Sequence, residues 1–129
     1  MTYTIDRTFS GTTFDQIVER TRAALSRQGF GVLTEIDVKA TLKAKLGEDV
    51  DDYLILGACN PTMAHKAMQL EPRIGAMLPC NVIVRSTDEN TVEVSAIDPV
   101  ASMEAVSNPD LKNIASLVRD LIRTMVANI

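Results

Sequence analysis

Polar and apolar positions alternate with two different periods along this chain. Tyr3, Ile5 and Arg7 alternate with Thr4, Asp6 and Thr8 before Phe9, a two-residue period that predicts a strand with one wet face near a sheet edge. The period then lengthens. Phe14, Ile17, Val18, Thr21, Ala24 and Leu25 fall on one helical stripe. Thr13 and Gln16 have capping-box spacing ahead of it, and Gly29 supplies the left-handed residue that closes it. Phe30 to Ile36 reads as a second strand, with Val32, Thr34 and Ile36 alternating. Asp37 caps a short helix in which Val38, Leu42 and Leu46 stand at i, i+4 and i+8, with Gly47 as its stop. The acidic run from Glu48 to Asp52 reads as an exposed turn, because it lacks the central Gly and distal Glu of a calcium-binding loop.

From Leu54 to Cys59 the chain is apolar at every position, the pattern of an interior strand covered on two sides. Asn60 then suits an N-cap and Pro61 the first helical position, where its missing N–H would go unbonded anyway. That helix runs to about Leu70 on a face of Ala64, Ala67 and Met68, ending before Pro72. Arg73 to Ala76 reads as a connector. Met77 to Arg85 reads as a fourth strand, with Leu78, Cys80, Val82 and Val84 on one face and Asn81 on the other. The polar turn Thr87 to Asn90 returns Val92, Val94 and Ala96 as the second arm of a hairpin. Asp98-Pro99 stops that strand, and Val100 to Val106 reads as a short helical turn bearing Met103. Asn108 and Pro109 open a long helix carrying Leu111, Ile114, Leu117, Val118, Leu121, Ile122 and Met125. So wide a stripe can cover a sheet and a partner as well. The elements add up to one α+β domain over residues 1–129: a mixed, largely antiparallel sheet of about five strands, with helices packed on it and a long C-terminal helix.

Composition narrows the function. With five aromatic residues among 129, no Trp and a net charge of −4, the chain lacks the aromatic platforms and basic surface that nucleic acid requires. No apolar run reaches the ~20 residues of a membrane span. Residues Met1 to Arg7 lack the basic-then-apolar layout of a signal peptide. A cytoplasmic protein with two unpaired thiols is the expectation.

Four short motifs share a further likeness. Gly29-Phe30-Gly31, Leu56-Gly-Ala-Cys-Asn-Pro61, Ile74-Gly-Ala-Met-Leu-Pro-Cys-Asn-Val82 and Ile97-Asp98-Pro99 occur in this order. Together they resemble the DUF302 family of small bacterial and archaeal proteins, over about residues 3 to 125. The resemblance implies an α+β fold and a homodimer, and it brings no assigned function.

The residues with chemical potential cluster in the same motifs. Cys59 directly precedes a helix start, where the positive end of the helix dipole favours a thiolate. Were the strands bearing Cys59 and Cys80 neighbours, the two sulfurs could meet for disulfide exchange or persulfide carriage. The opposing reading is that both are inert buried thiols, since Cys is among the most buried residue types. Their 21-residue separation matches no metal-binding signature. Asn60 is explained by capping; Asn81, an amide within a strand, either finds a backbone partner or points into a pocket. His65, the single histidine, and Glu71, just before Pro72, are further candidates, each balanced by a plain surface reading. No phosphate loop, nucleophile elbow or His cluster is present, so the sequence names neither a cofactor nor a catalytic residue. Two functions remain open. One is small-ligand binding or thiol redox at a cleft near Cys59, Asn60, Cys80 and Asn81. The other is a non-enzymatic structural or interaction module with inert cysteines.

Overall fold

In the computed structural model, which describes residues 2–129, five strands form one sheet: β1 (Thr4–Ser10), β2 (Gly31–Asp37), β3 (Tyr53–Cys59), β4 (Cys80–Asp88) and β5 (Thr91–Ile97). Their spatial order is β1-β5-β4-β3-β2. Every neighbouring pair is antiparallel, so the parallel pair that a mixed sheet would need does not form. The reason is topological. β1 and β2 run in the same direction but occupy opposite edges, and the helix between them spans the sheet. Every other sequential pair of strands lies side by side and turns back on itself. β1 is an edge strand, as its alternation predicts, and β3 is interior.

The helices are α1 (Phe14–Arg27), α2 (Val38–Leu46), α3 (Pro61–Leu70), α4 (Pro99–Ser102) and α5 (Pro109–Ala127). Their starts follow local chemistry. Thr13 and Gln16 close a reciprocal capping box, and Asp37, Asn60, Asp98 and Asn108 each accept a backbone N–H from the first turn of the helix that follows. Gly29 and Gly47 take positive φ after α1 and α2, as the sequence anticipates. Some boundaries differ from expectation, α4 among them, which covers Pro99–Ser102 rather than Val100 to Val106. The connector at 73–76 belongs to a 3₁₀ helix, Pro72–Met77, and β4 therefore starts at Cys80 and extends to Asp88.

One face of the sheet carries Leu54, Leu56, Ala58, Cys80, Val82, Val84, Val92, Val94 and Ala96, all buried. Across it lie Ile17, Val18, Ala24 and Leu25 of α1 and Val118, Ile122, Met125 and Val126 of α5. A second, smaller cluster joins Ala67, Ile74, Met103, Leu111 and Ala115 beneath α5. The apolar surplus of α5 is thereby consumed within the chain; of its large apolar residues only Leu117 stands well out, at 53% exposed. This corrects the expectation that α5 presents a partner surface. Arginines fix its far end. Arg7 donates to the carbonyls of Val126 and Ala127 at 3.1 and 2.9 Å, Arg20 to Ile129 at 3.0 Å and Arg27 to Asn128 at 3.0 Å. Three cations satisfy carbonyls that the last turn leaves unbonded and complement the negative end of its dipole.

The opposite face has no such layer. The apolar run of β3 predicts cover on both sides, yet α2 is the helix that touches β2 and β3, and none of its residues is buried. Ile36 pairs with Ile55 and Ile55 with Ile83, so three isoleucines form a row across β2, β3 and β4. Ile36 is 48% exposed, and Ile55 and Ile83 are half-buried. Among the described residues, no helix is long and apolar enough to cross a membrane.

Candidate functional site

The four sequence motifs converge at one end of the sheet. Gly31 of β2 pairs with Cys59, and Ala58 pairs with Cys80. Phe30, Cys59, Asn60, Leu78, Cys80 and Pro99 all line one cavity there, together with Met63 and residues of α5. Its volume is about 30 Å³, room for one or two waters rather than a substrate, which occupies some hundreds of Å³. Its walls are almost wholly apolar, so it is a packing gap in the core.

Within this corner the two cysteines occupy unlike positions. Both are free. Cys80 stands opposite Ala58, with Cys59 one register place further on. Because side chains alternate along a strand, that single step removes the face-to-face arrangement a thiol pair would need. Cys80 is buried, and burial pushes its thiol from 9.0 up to about 11, with the charge of Cys59 adding to the rise. Both effects disfavour the thiolate, desolvation the more strongly. Cys80 is therefore a neutral thiol at physiological pH and no nucleophile.

The asparagines divide in the same way. Asn60 Oδ1 accepts from the Met63 N–H at 3.3 Å, closing the start of α3, and its Nδ2 lies 3.3 Å from where a Cβ on Gly29 would sit. Asn81 points the other way. It is exposed on the uncovered face, opposite Gly57, in a cleft of about 310 Å³ with Met77, Leu78, Pro79 and Ile97. A Cβ at Gly57 would lie 2.8 Å from Pro79 Cγ and would run into Thr34 Oγ1. Glycine is thus required there by close approach, not by backbone angle. His65 is exposed on α3, Glu71 is half-buried at its end, and neither reaches the motif corner. Of the six candidates, the fold gathers Cys59, Asn60 and Cys80, sets Asn81 beside them on the other face, and leaves His65 and Glu71 outside. Among the described residues no three His, Cys, Asp or Glu side chains gather to hold a metal.

The family model for the domain of unknown function DUF302 matches residues 5–129. The chain belongs to the DUF302 family. A crystal structure of an uncharacterised conserved DUF302 protein from Bacillus stearothermophilus superposes with a TM-score of 0.90 at 25% sequence identity, covering 99% of this chain and 98% of that one. A search of curated proteins finds no match. For this DUF302 chain the role of the motif corner has to be read from geometry. Two features went unread in the sequence. One is the isoleucine row: Ile55 and Ile83 lie inside continuous apolar runs, Ile36 stands between Glu35 and Asp37, and only strand register brings the three together. The other is Arg119 on α5, whose Nε is buried without a hydrogen-bond partner; its trace is a polar stripe of Lys112, Ser116 and Arg119 at i, i+4 and i+7.

Proposed function

We propose that this DUF302 chain is a non-enzymatic, cytoplasmic binding module that works as a homodimer, two copies meeting through the uncovered face of the sheet. The observation that carries this reading is the row Ile36–Ile55–Ile83 on a face that no helix layer covers. On that face Arg85 Nε donates to Glu93 Oε1 at 2.9 Å, and Ser95 Oγ donates to the same oxygen at 3.4 Å, while Asp6, opposite Ser95 on the edge strand, adds an exposed carboxylate. A two-fold contact sets the same patch against itself, so an apolar row flanked by an internally neutralised pair is self-complementary. The size also fits. Five strands about 4.8 Å apart and about seven residues long present roughly 550 Å² in plane, or about 1,100 Å² for two copies, near the lower end of stable interfaces before side-chain relief is counted.

The thiol reading has less behind it. Cys80 is held as a neutral thiol by burial, Cys59 stands out of register with it, and their shared cavity is too small for a substrate. Both thiols are free, the state a reducing cytoplasm maintains. Sedimentation velocity tests the dimer. The wild-type chain at micromolar concentration is expected to sediment at twice 14.1 kDa, and Ile83→Asp to weaken association at least about 30-fold. A 14.1 kDa wild-type species at those concentrations refutes the reading.

A further inference from the structure

A cleft of about 390 Å³ lies between α4 and α5, bordered by Asp98, Val100, Ala101, Met103, Glu104, Lys112, Ala115, Ser116 and Arg119. Volume does not single it out, because two surface grooves elsewhere measure about 430 and 480 Å³. Its chemistry does. The Nε of Arg119 is shielded from solvent, and among the described residues nothing accepts its proton. That nitrogen is out of a ligand's reach, so what the cleft can use is the outer edge of the guanidinium, whose terminal nitrogens are not buried. Neither Arg119 nor Lys112 has a carboxylate within ion-pair distance among the described residues. Two cations without a direct ion-pair partner, with a hydroxyl, Ser116, between them, thus border one cleft from a single helix stripe, a cleft that Asp98 and Glu104 border too.

We infer that this cleft binds the carboxylate end of a small amphipathic monoanion. A planar carboxylate matches the guanidinium fork of Arg119, with Lys112 as a second, point-like charge. Val100, Ala101, Met103 and Ala115 line the rest and suit an apolar body. Asp98 already accepts the Val100 N–H at 2.9 Å, and Glu104 is exposed at the rim. Those two carboxylates oppose a dianion such as phosphate and leave a single negative charge favoured. The volume falls in the range of small-molecule sites. None of these residues belongs to the isoleucine row, so the site stands whether or not two copies associate.

Octanoate is a suitable probe, titrated at pH 7 into the full chain and followed by backbone amide NMR. The expected result is saturable shifts at residues 100–104 and 112–119. Binding should weaken about fourfold for each methylene removed, as buried CH₂ groups leave the cleft. Arg119→Met, which keeps the stem and removes the guanidinium, should weaken binding about 10- to 100-fold without lowering the Tm of the free chain. Lys112→Gln, at an exposed position, should weaken it less. Octanamide and inorganic phosphate should not compete. The inference is overturned if octanoate produces no shift at about 10 mM, where even weak affinity registers. It is equally overturned if the shifts centre on Ile36, Ile55 and Ile83, if Arg119→Met binds as the wild type does, or if phosphate binds as well as octanoate.

Discussion

The two faces of the sheet are made from the same strands and do different things. On one, Leu54, Leu56, Ala58, Val82, Val84, Val94 and Ala96 lie under α1 and α5. On the other, Ile36, Ile55 and Ile83 stand in a row with no helix layer above them. Both rows are β-branched or aliphatic, so residue type does not separate them; the helices assigned to each side do. α1 and α5 have wide apolar stripes and seal the first face. α2 has no buried residue and leaves the second available. The lesson is that an all-apolar strand such as 54–59 announces burial on two sides without saying that both covers come from the same chain.

Paired substitutions on neighbouring residues break or sustain this contrast. Leu56→Ala, at a fully buried site, should cost about 2–5 kcal/mol in denaturant unfolding. Ile55→Asp, one residue away at a half-buried site, should cost less in a monomer and act mainly on association. Equal destabilisation by both would mean that the second face is core.

The next largest effect concerns Cys80, on the sealed face. Its folded thiol titrates near 11 against 9.0 in the ordinary state. The unfolded chain therefore loses its proton first as pH rises. The stability Cys80 contributes is complete below pH 9 and drains away through pH 11, to a total of about 2–3 kcal/mol. Urea unfolding of wild type and Cys80→Ala from pH 7 to 11.5 isolates it. The wild type should lose that much more stability than the variant across the window, and identical pH slopes would show that Cys80 is solvated. Smaller still is the contrast between the asparagines. Asn60→Ala should cost about 1 kcal/mol, the value of an N-cap, whereas Asn81→Ala, exposed and unbonded, should fall within about 0.5 kcal/mol of wild type. Thermal or urea unfolding of the two variants reads both.

Much of the fold is legible because its signals are local. Thr13 with Gln16, Asp37, Asn60-Pro61 and Asn108-Pro109 set helix starts through one or two side-chain bonds each, and the α+β class follows from counting the elements they separate. What is not legible depends on distant parts of the chain. The start of β4 slips from Met77 to Cys80 because Pro72 opens a 3₁₀ turn that absorbs the residues between. The apolar surplus of α5 looks like a partner surface until Ala67, Ile74 and Met103 arrive from elsewhere to bury it. The Cys59–Cys80 pair fails through register alone, since a pairing of Cys80 with Ala58 rather than Cys59 is invisible in either strand by itself. Motif convergence at one corner was readable in outline; the small size of its cavity was not.

The decisive measurement is a mixed-isotope NMR experiment, in which one copy carries labelled isoleucine methyls and the other is labelled in a complementary way. If two copies meet through the uncovered face, intermolecular contacts will appear at the methyls of Ile36, Ile55 and Ile83 and vanish in Ile83→Asp. Intermolecular contacts confined to Leu117 on α5, or none at concentrations where the wild type is fully associated, would contradict it.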